Sequence, residues 1–172
     1  MIVVVIVGVL AVLAVVGYRK LVTSSHVAEA TNMVQNIRVA QEGYHAETQQ
    51  YANISKDFYS YYPQSAPTGK IETAWGGSCA SLCQSGMQWS MLDLRVDGPV
   101  LFGYATVAGG VGIAPAPASV TVSGQTLTFP ANPPTEWYMV AATSDLDGLG
   151  APNTYVYTTS WNNQVFVDSA GQ

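Results

Sequence analysis

The chain has 172 residues, enough for one domain plus an arm, and only 10% of them are charged, against roughly 25% in an ordinary soluble domain. Eleven acids face six bases for a formal charge of −5, and no run of Lys or Arg occurs, which argues against a nucleic-acid-binding surface. The polar remainder is Ser, Thr, Asn, Gln and Gly with ten Tyr and four Trp, a composition that suits a closely packed extracellular protein better than a cytosolic enzyme.

Residues 1–17 are Met, Ile, Val, Leu, Ala and Gly only. As a helix they span about 25 Å, a little short of the ~30 Å hydrocarbon core of a bilayer. A cleaved signal peptide begins with a basic segment and ends at a small-residue cut site. Here the basic pair Arg19-Lys20 follows the apolar run, and "SSHVAEA" continues without a break. No proline appears before Pro63. From Val27 the apolar positions step as Val27, Ala30, Val34, Ile37, Tyr44 and Tyr51, with Gln41 and Thr48 in the intermediate slots. That is a seam of period about 3.5 along one helix face. Gly43 costs about 1 kcal/mol relative to Ala without ending the helix. The pattern predicts one helix from Met1 to a point between Gln49 and Asn53, about 75 Å long. A rod of that length outruns any small domain behind it, so its first third needs a membrane or copies of itself.

The rest divides into a connecting region over 54–100 and a β-rich region with the C-terminal tail over 101–172, after the helix over 1–53. The helix itself splits into a membrane or filament-core segment (1–17) and an amphipathic half (18–53). In the connector, "MQWSMLDLRV" suits either a short helix or a strand. Cys79 and Cys83 lie in "WGGSCASLCQSG" without haem or zinc companion motifs. In an exported protein the plainest reading is a small-loop disulfide, the alternative being two free thiols. Beyond it, "VLFGYATVAG", "SVTVSG", "QTLTFP", "EWYMVAATSD", "TYVYTTS" and "QVFVDS" read as strands. Ser123-Gly124 and Asn162-Asn163 read as hairpin turns, and "GGVGIAPAPA" as a loop. Helix, connector and antiparallel sheet in that order predict an α+β ladle with the helix seam laid on the sheet.

Catalytic chemistry is not legible. His26 and His45 lack a Cys, Ser or carboxylate four residues away and read as exposed or subunit-contact residues. There is no GxSxG, HExxH, Walker loop or GxGxxG, and "AGGVGIAPA" opens no helix. No catalytic residue and no cofactor are assigned, and an enzyme is not expected. The one stretch with ligand chemistry is "SDLDGLG". Asp145 and Asp147, two apart before a glycine, are a candidate Ca2+ pair, with a plain Asp/Gly turn as the alternative. A full EF-hand loop also needs a later Glu, which is absent. The aromatics do not form a conduction path: from Tyr18 to Tyr44 is about 39 Å of helix, and core or subunit packing accounts for them better.

The apolar start "MIVVVIVGVLA", the amphipathic stretch "VAEATNMVQNIRVAQEGYHAETQQYAN" and the tail "ATSDLDGLGAPNTYVYTTSWNNQVFVDSAGQ" together resemble type IV pilins. The likeness covers the first ~50 and last ~35 residues and hardly touches the middle. It implies a structural subunit of a pilus filament that assembles through its apolar helix. It also implies residence in the bacterial inner membrane before assembly and on the cell surface afterwards, with the pilus assembly machinery and a prepilin peptidase as partners. Alternatives are a minor pilin, a type II secretion pseudopilin, or a membrane-anchored periplasmic binding module. Three departures stand out. The Phe and Glu that the family places just upstream of this run are missing, so either the mature start lies before Met1, the reading preferred here, or the assembly sets its register by another device. Val16-Gly17 stands where many pilins have a proline. Leu149 stands where relatives often carry a third acid. Arg19-Lys20 would by the positive-inside rule hold the following residues in the cytoplasm, so an exported domain calls for a more basic leader.

Overall fold

The computed structural model describes residues 2–79, 81–122 and 125–169. Its first element, α1, runs unbroken from Ile2–Thr48 over 47 residues, about 70 Å at 1.5 Å per residue. Neither Gly17 nor Gly43 interrupts it. The helix stops where Gln49 enters the left-handed region at φ 59°, while its amide still donates to the His45 carbonyl at 2.8 Å.

α1 leads two lives. Every residue from Ile2 to Leu21 is exposed, whereas Val27, Ala30, Met33, Val34, Ile37 and Gln41 are buried. The predicted seam therefore holds from Val27 to Gln41 and is widened by Met33, which shares the Ala30–Ile37 face one step round. It was drawn too long at its end: Thr48 is exposed, and Tyr51 lies past the helix.

The seam packs on a four-stranded antiparallel sheet in the order β1-β4-β5-β6. The strands are β1 (Gly103–Gly109), β4 (Trp137–Ser144), β5 (Thr154–Thr159) and β6 (Asn162–Ser169). β2 (Ser119–Val122) and β3 (Gln125–Thr128) pair only with each other and form a separate hairpin. The turn expected at Ser123-Gly124 lies outside the described residues. The turn expected at Asn162-Asn163 is displaced. Thr159 already pairs with Asn162, so Ser160 and Trp161 make the turn. The cause is tertiary: Trp161 stacks on Phe129 at 5.7 Å and on Trp137 at 5.5 Å.

Every residue of β4 is buried, because the sheet is covered on both faces. Strand alternation sends Tyr138, Val140 and Ala142 to the helix side, with Tyr104 and Val156. It sends Trp137, Met139 and Ala141 to the other side, where Phe58, Tyr61, Phe129 and the β2–β3 hairpin close over them.

The connector is tied down rather than loose. "MQWSMLDLRV" contributes a 3₁₀ turn, Trp89–Leu92. Single bridges join Ser55 to Cys83, Tyr62 to Tyr104 and Thr73 to Val100. Trp75 packs edge-on against both Tyr62 and Trp89, with centroids 5.0 and 5.2 Å away. The Tyr62 hydroxyl donates to Gly77 O at 2.7 Å and accepts from Gly76 N at 2.9 Å.

Burial raises the phenols of Tyr61, Tyr104 and Tyr138 above the ordinary tyrosine value. It pushes Tyr157 up to about 12, with the Asp168 charge as the lesser cause. A raised folded-state pKa means the native state holds the proton longer than the unfolded chain. The stabilisation is whole below the unfolded value of about 10 and is lost as pH climbs through the folded value. Absorbance at 295 nm and circular dichroism should therefore report these tyrosines ionising together with unfolding, in a window opening near pH 10. Smooth titration at the ordinary value with the fold intact would contradict the burial argument.

Candidate functional site

The largest chemically distinctive surface is the first half of α1. Its most apolar window has a mean hydropathy of 2.6 and no part of it is buried. Exposure is high all round the helix: Val5 65%, Ile6 53%, Val7 59% and Leu10 59%. No stripe faces the domain, because the sheet and connector begin to cover α1 only near Val27. The helix is long and apolar enough to cross a membrane, and its polar exit is marked by Tyr18, Arg19 and Lys20.

Where α1 meets the domain, a polar network locks its last turns. Gln41 is fully buried, and both ends of its amide are used. Nε2 donates to Ala52 O at 2.8 Å and Thr106 Oγ1 at 2.9 Å, and Oε1 accepts from Ala52 N at 2.8 Å. One side chain thus ties the helix to the returning chain and to β1. Nearby, Glu42 accepts from the Tyr138 hydroxyl at 3.1 Å and from Tyr51 at 3.2 Å. The Arg38 guanidinium reaches the Asn163 carbonyl at 2.9 Å and also its side-chain oxygen. His45 pairs with Glu136 at 3.1 Å and stacks on Tyr51 with centroids 4.3 Å apart. A search confined to neighbours four residues away misses that partner, because Glu136 is 91 residues along the chain. His26 is half-buried on α1.

Cys79 and Cys83 are bonded to each other, with Cα atoms 5.5 Å apart, and both are buried. The bridge closes the loop that carries the Ser55 contact, so its role here is structural. Replacing both cysteines with serine should cost about 2 kcal/mol by the loop-entropy account, read as a lowered denaturant midpoint. An unchanged midpoint would remove the bridge from the stability of the connector.

Asp145 and Asp147 lie in one loop, each bonded to backbone amides of that loop. Asp145 is buried, and its Oδ1 and Oδ2 accept from Gly148 N at 2.8 Å and Gly150 N at 2.7 Å. Exposed Asp147 accepts from Leu149 N at 2.9 Å. That amide, and then the Asp145 side chain, hold its carboxyl below the usual range. The loop is seated from below by Pro67 O, which accepts from Asp145 N at 3.1 Å. Gly69 fits at φ 68° where a Cβ would fall 1.9 Å from Asp145 O. Among the described residues no group of three or more His, Cys, Asp or Glu is placed to hold a metal ion. Since both Asp145 oxygens already accept amide protons, millimolar Ca2+ is expected to leave the melting temperature unchanged. A clear upward shift would make the pair a calcium site.

No family model, curated protein or solved structure matches this chain.

Proposed function

We propose that this chain is a structural subunit of a type IV pilin-like filament, held first in the inner membrane and then in the fibre core by its apolar segment, residues 1–17. The observation that carries the reading is the contrast within one continuous helix. Its second half buries a seam on the sheet, and its first half offers an apolar circumference with nothing on it. A helix apolar all round is equally soluble in lipid and in a bundle of like helices. Leaving the membrane for the fibre then exchanges one apolar environment for another.

In this role the chain is not an enzyme, and its partners are copies of itself together with the machinery that extracts and processes it. Immunogold electron microscopy of sheared cell-surface material tests the proposal. Labelled fibres are expected. Labelling confined to membranes, with no fibre carrying the chain, would turn the reading to an anchored periplasmic module.

A further inference from the structure

The face of the sheet turned away from α1 carries a second feature. Between the β2–β3 hairpin and that face lies a cavity of about 410 Å3, lined by Phe58, Tyr59, Tyr61, Val120, Tyr155 and Tyr157 among others. That volume lies within the range of small-ligand sites, roughly 300–1,000 Å3. Ala141 stands directly opposite Tyr157 on the adjacent strand, so a methyl group forms the floor where the walls are rings. Tyr59 is 60% exposed and Tyr155 38% exposed, which leaves two rings at the rim open to an incoming group.

The charge around these rings is of one sign. Asp57 is exposed, and its Oδ1 accepts from Tyr59 N at 2.8 Å, which fixes a carboxylate beside the more open ring. Asp168 is the cross-strand partner of Tyr155, and such partners share a face of the sheet with Cβ atoms about 4.5–5.5 Å apart. Both charges reach the walls. The Tyr61 phenol is held above its ordinary value by burial, then by Tyr155 and Tyr59, then by Asp57, and the Tyr157 phenol by burial and then by Asp168. None of the six Lys and Arg lines the cavity. Arg19 and Lys20 sit on the bare arm, Arg38 holds Asn163, Lys70 packs on Gly148, and Arg95 borders cavities beside α1. Lys56 is tied by its backbone to Leu82 and Gln84.

Charge and donor count narrow the ligand class. Anions are repelled by the two acids. A metal ion lacks ligands, since no carboxylate lines the cavity itself. A neutral sugar gains nothing from the charges, and its hydroxyls meet few free partners. The Tyr155 hydroxyl donates to Pro152 O at 3.1 Å, the Thr121 and Thr126 hydroxyls bond each other at 3.0 Å, and the Tyr157 hydroxyl is enclosed. Primary ammonium and guanidinium groups bring several N–H donors each, which a wall of rings leaves unmatched. A quaternary ammonium has no N–H to satisfy, so it gains the attraction of ring faces and acids while giving up little hydration. We infer that this tyrosine-walled cavity is a binding site for a quaternary ammonium group, with the acids at its rim drawing the cation in.

Saturation-transfer NMR of the full chain, in micelles of a detergent without a choline headgroup, tests this with choline and tetramethylammonium as probes. The comparison compounds are the uncharged tert-butyl isostere of choline, methylammonium, methylguanidinium and methyl glucoside. Saturable transfer from both quaternary probes is expected, with the uncharged isostere at least about fivefold weaker. Tyr59→Leu keeps an apolar side chain but removes a ring face, and should weaken choline about threefold or more. Asp57→Asn with Asp168→Asn should also weaken it and reduce its sensitivity to salt. Thermal melting checks each variant, and Tyr59→Leu, at an exposed position, decides if the double variant fails to fold. Phosphocholine separates the sources: weaker binding than choline marks a free cation, equal or tighter binding a lipid headgroup, and both keep the site. No saturable transfer, equal binding of the uncharged isostere, preference for the glucoside or for the N–H cations, or choline binding indifferent to Tyr59→Leu would each overturn the assignment.

Discussion

Replacing Val7 with aspartate is expected to abolish filament assembly while leaving the sheet domain folded. Val7 sits mid-way along the bare apolar segment of α1, 59% exposed and more than a dozen residues before the first buried seam position at Val27. The domain therefore has no contact with it to lose. In the fibre core or the bilayer, however, a carboxylate must either ionise in an apolar medium or take up a proton. The cost is about 2.5–3.5 kcal/mol at the centre of a membrane helix on insertion scales, and more by simulation. A filament repeats that cost in every subunit, so the loss of fibres should be complete rather than partial. Electron microscopy and the amount of shearable protein measure it, with Val7→Leu as the control that keeps fibres. Val7→Asp cells bearing normal fibres would refute the proposed role of the helix.

Gln41→Leu carries the second large effect, on stability. Leucine keeps the volume and the apolar contacts but strands the Ala52 amide and carbonyl and removes a partner of Thr106 Oγ1, all buried beneath the helix. An unsatisfied buried group costs about 1–3 kcal/mol, so a net loss of about 2–4 kcal/mol is expected. For a chain of this size that lowers Tm by roughly 5–15 °C. The asymmetry is informative: a hydrophobic residue in a hydrophobic seam should be worse than the polar one it replaces. A Tm change under about 2 °C in micelles would show that the helix end is held by packing alone, not by this amide.

The helix was legible because its signals are local and periodic. Val27, Ala30, Val34, Ile37 and Gln41 recur at three- and four-residue steps, and no proline intervenes. The helix terminus was less so. No glycine marks it; a glutamine adopts the left-handed turn, at a place where Gln41 clamps Ala52. The Asp145–Asp147 loop was legible too, since its bonds span at most five residues. The Asn162-Asn163 turn was misplaced because local turn preference yielded to the stacking of Trp161 on rings from β4 and from just beyond β3.

The sequence by itself determined the order of elements, the apolar arm, the seam on the sheet and the cysteine pair. Each of these is written in composition, period or short spacing. Only the tertiary structure decided that the β2–β3 hairpin leaves the main sheet to cover its second face, that His45 meets Glu136, and that four tyrosines enclose a cavity over Ala141. Those facts depend on residues about 15 to 100 positions apart in the chain. Chain folding brings them together through the burial of whole faces, and no local pattern encodes which distant face will do the covering.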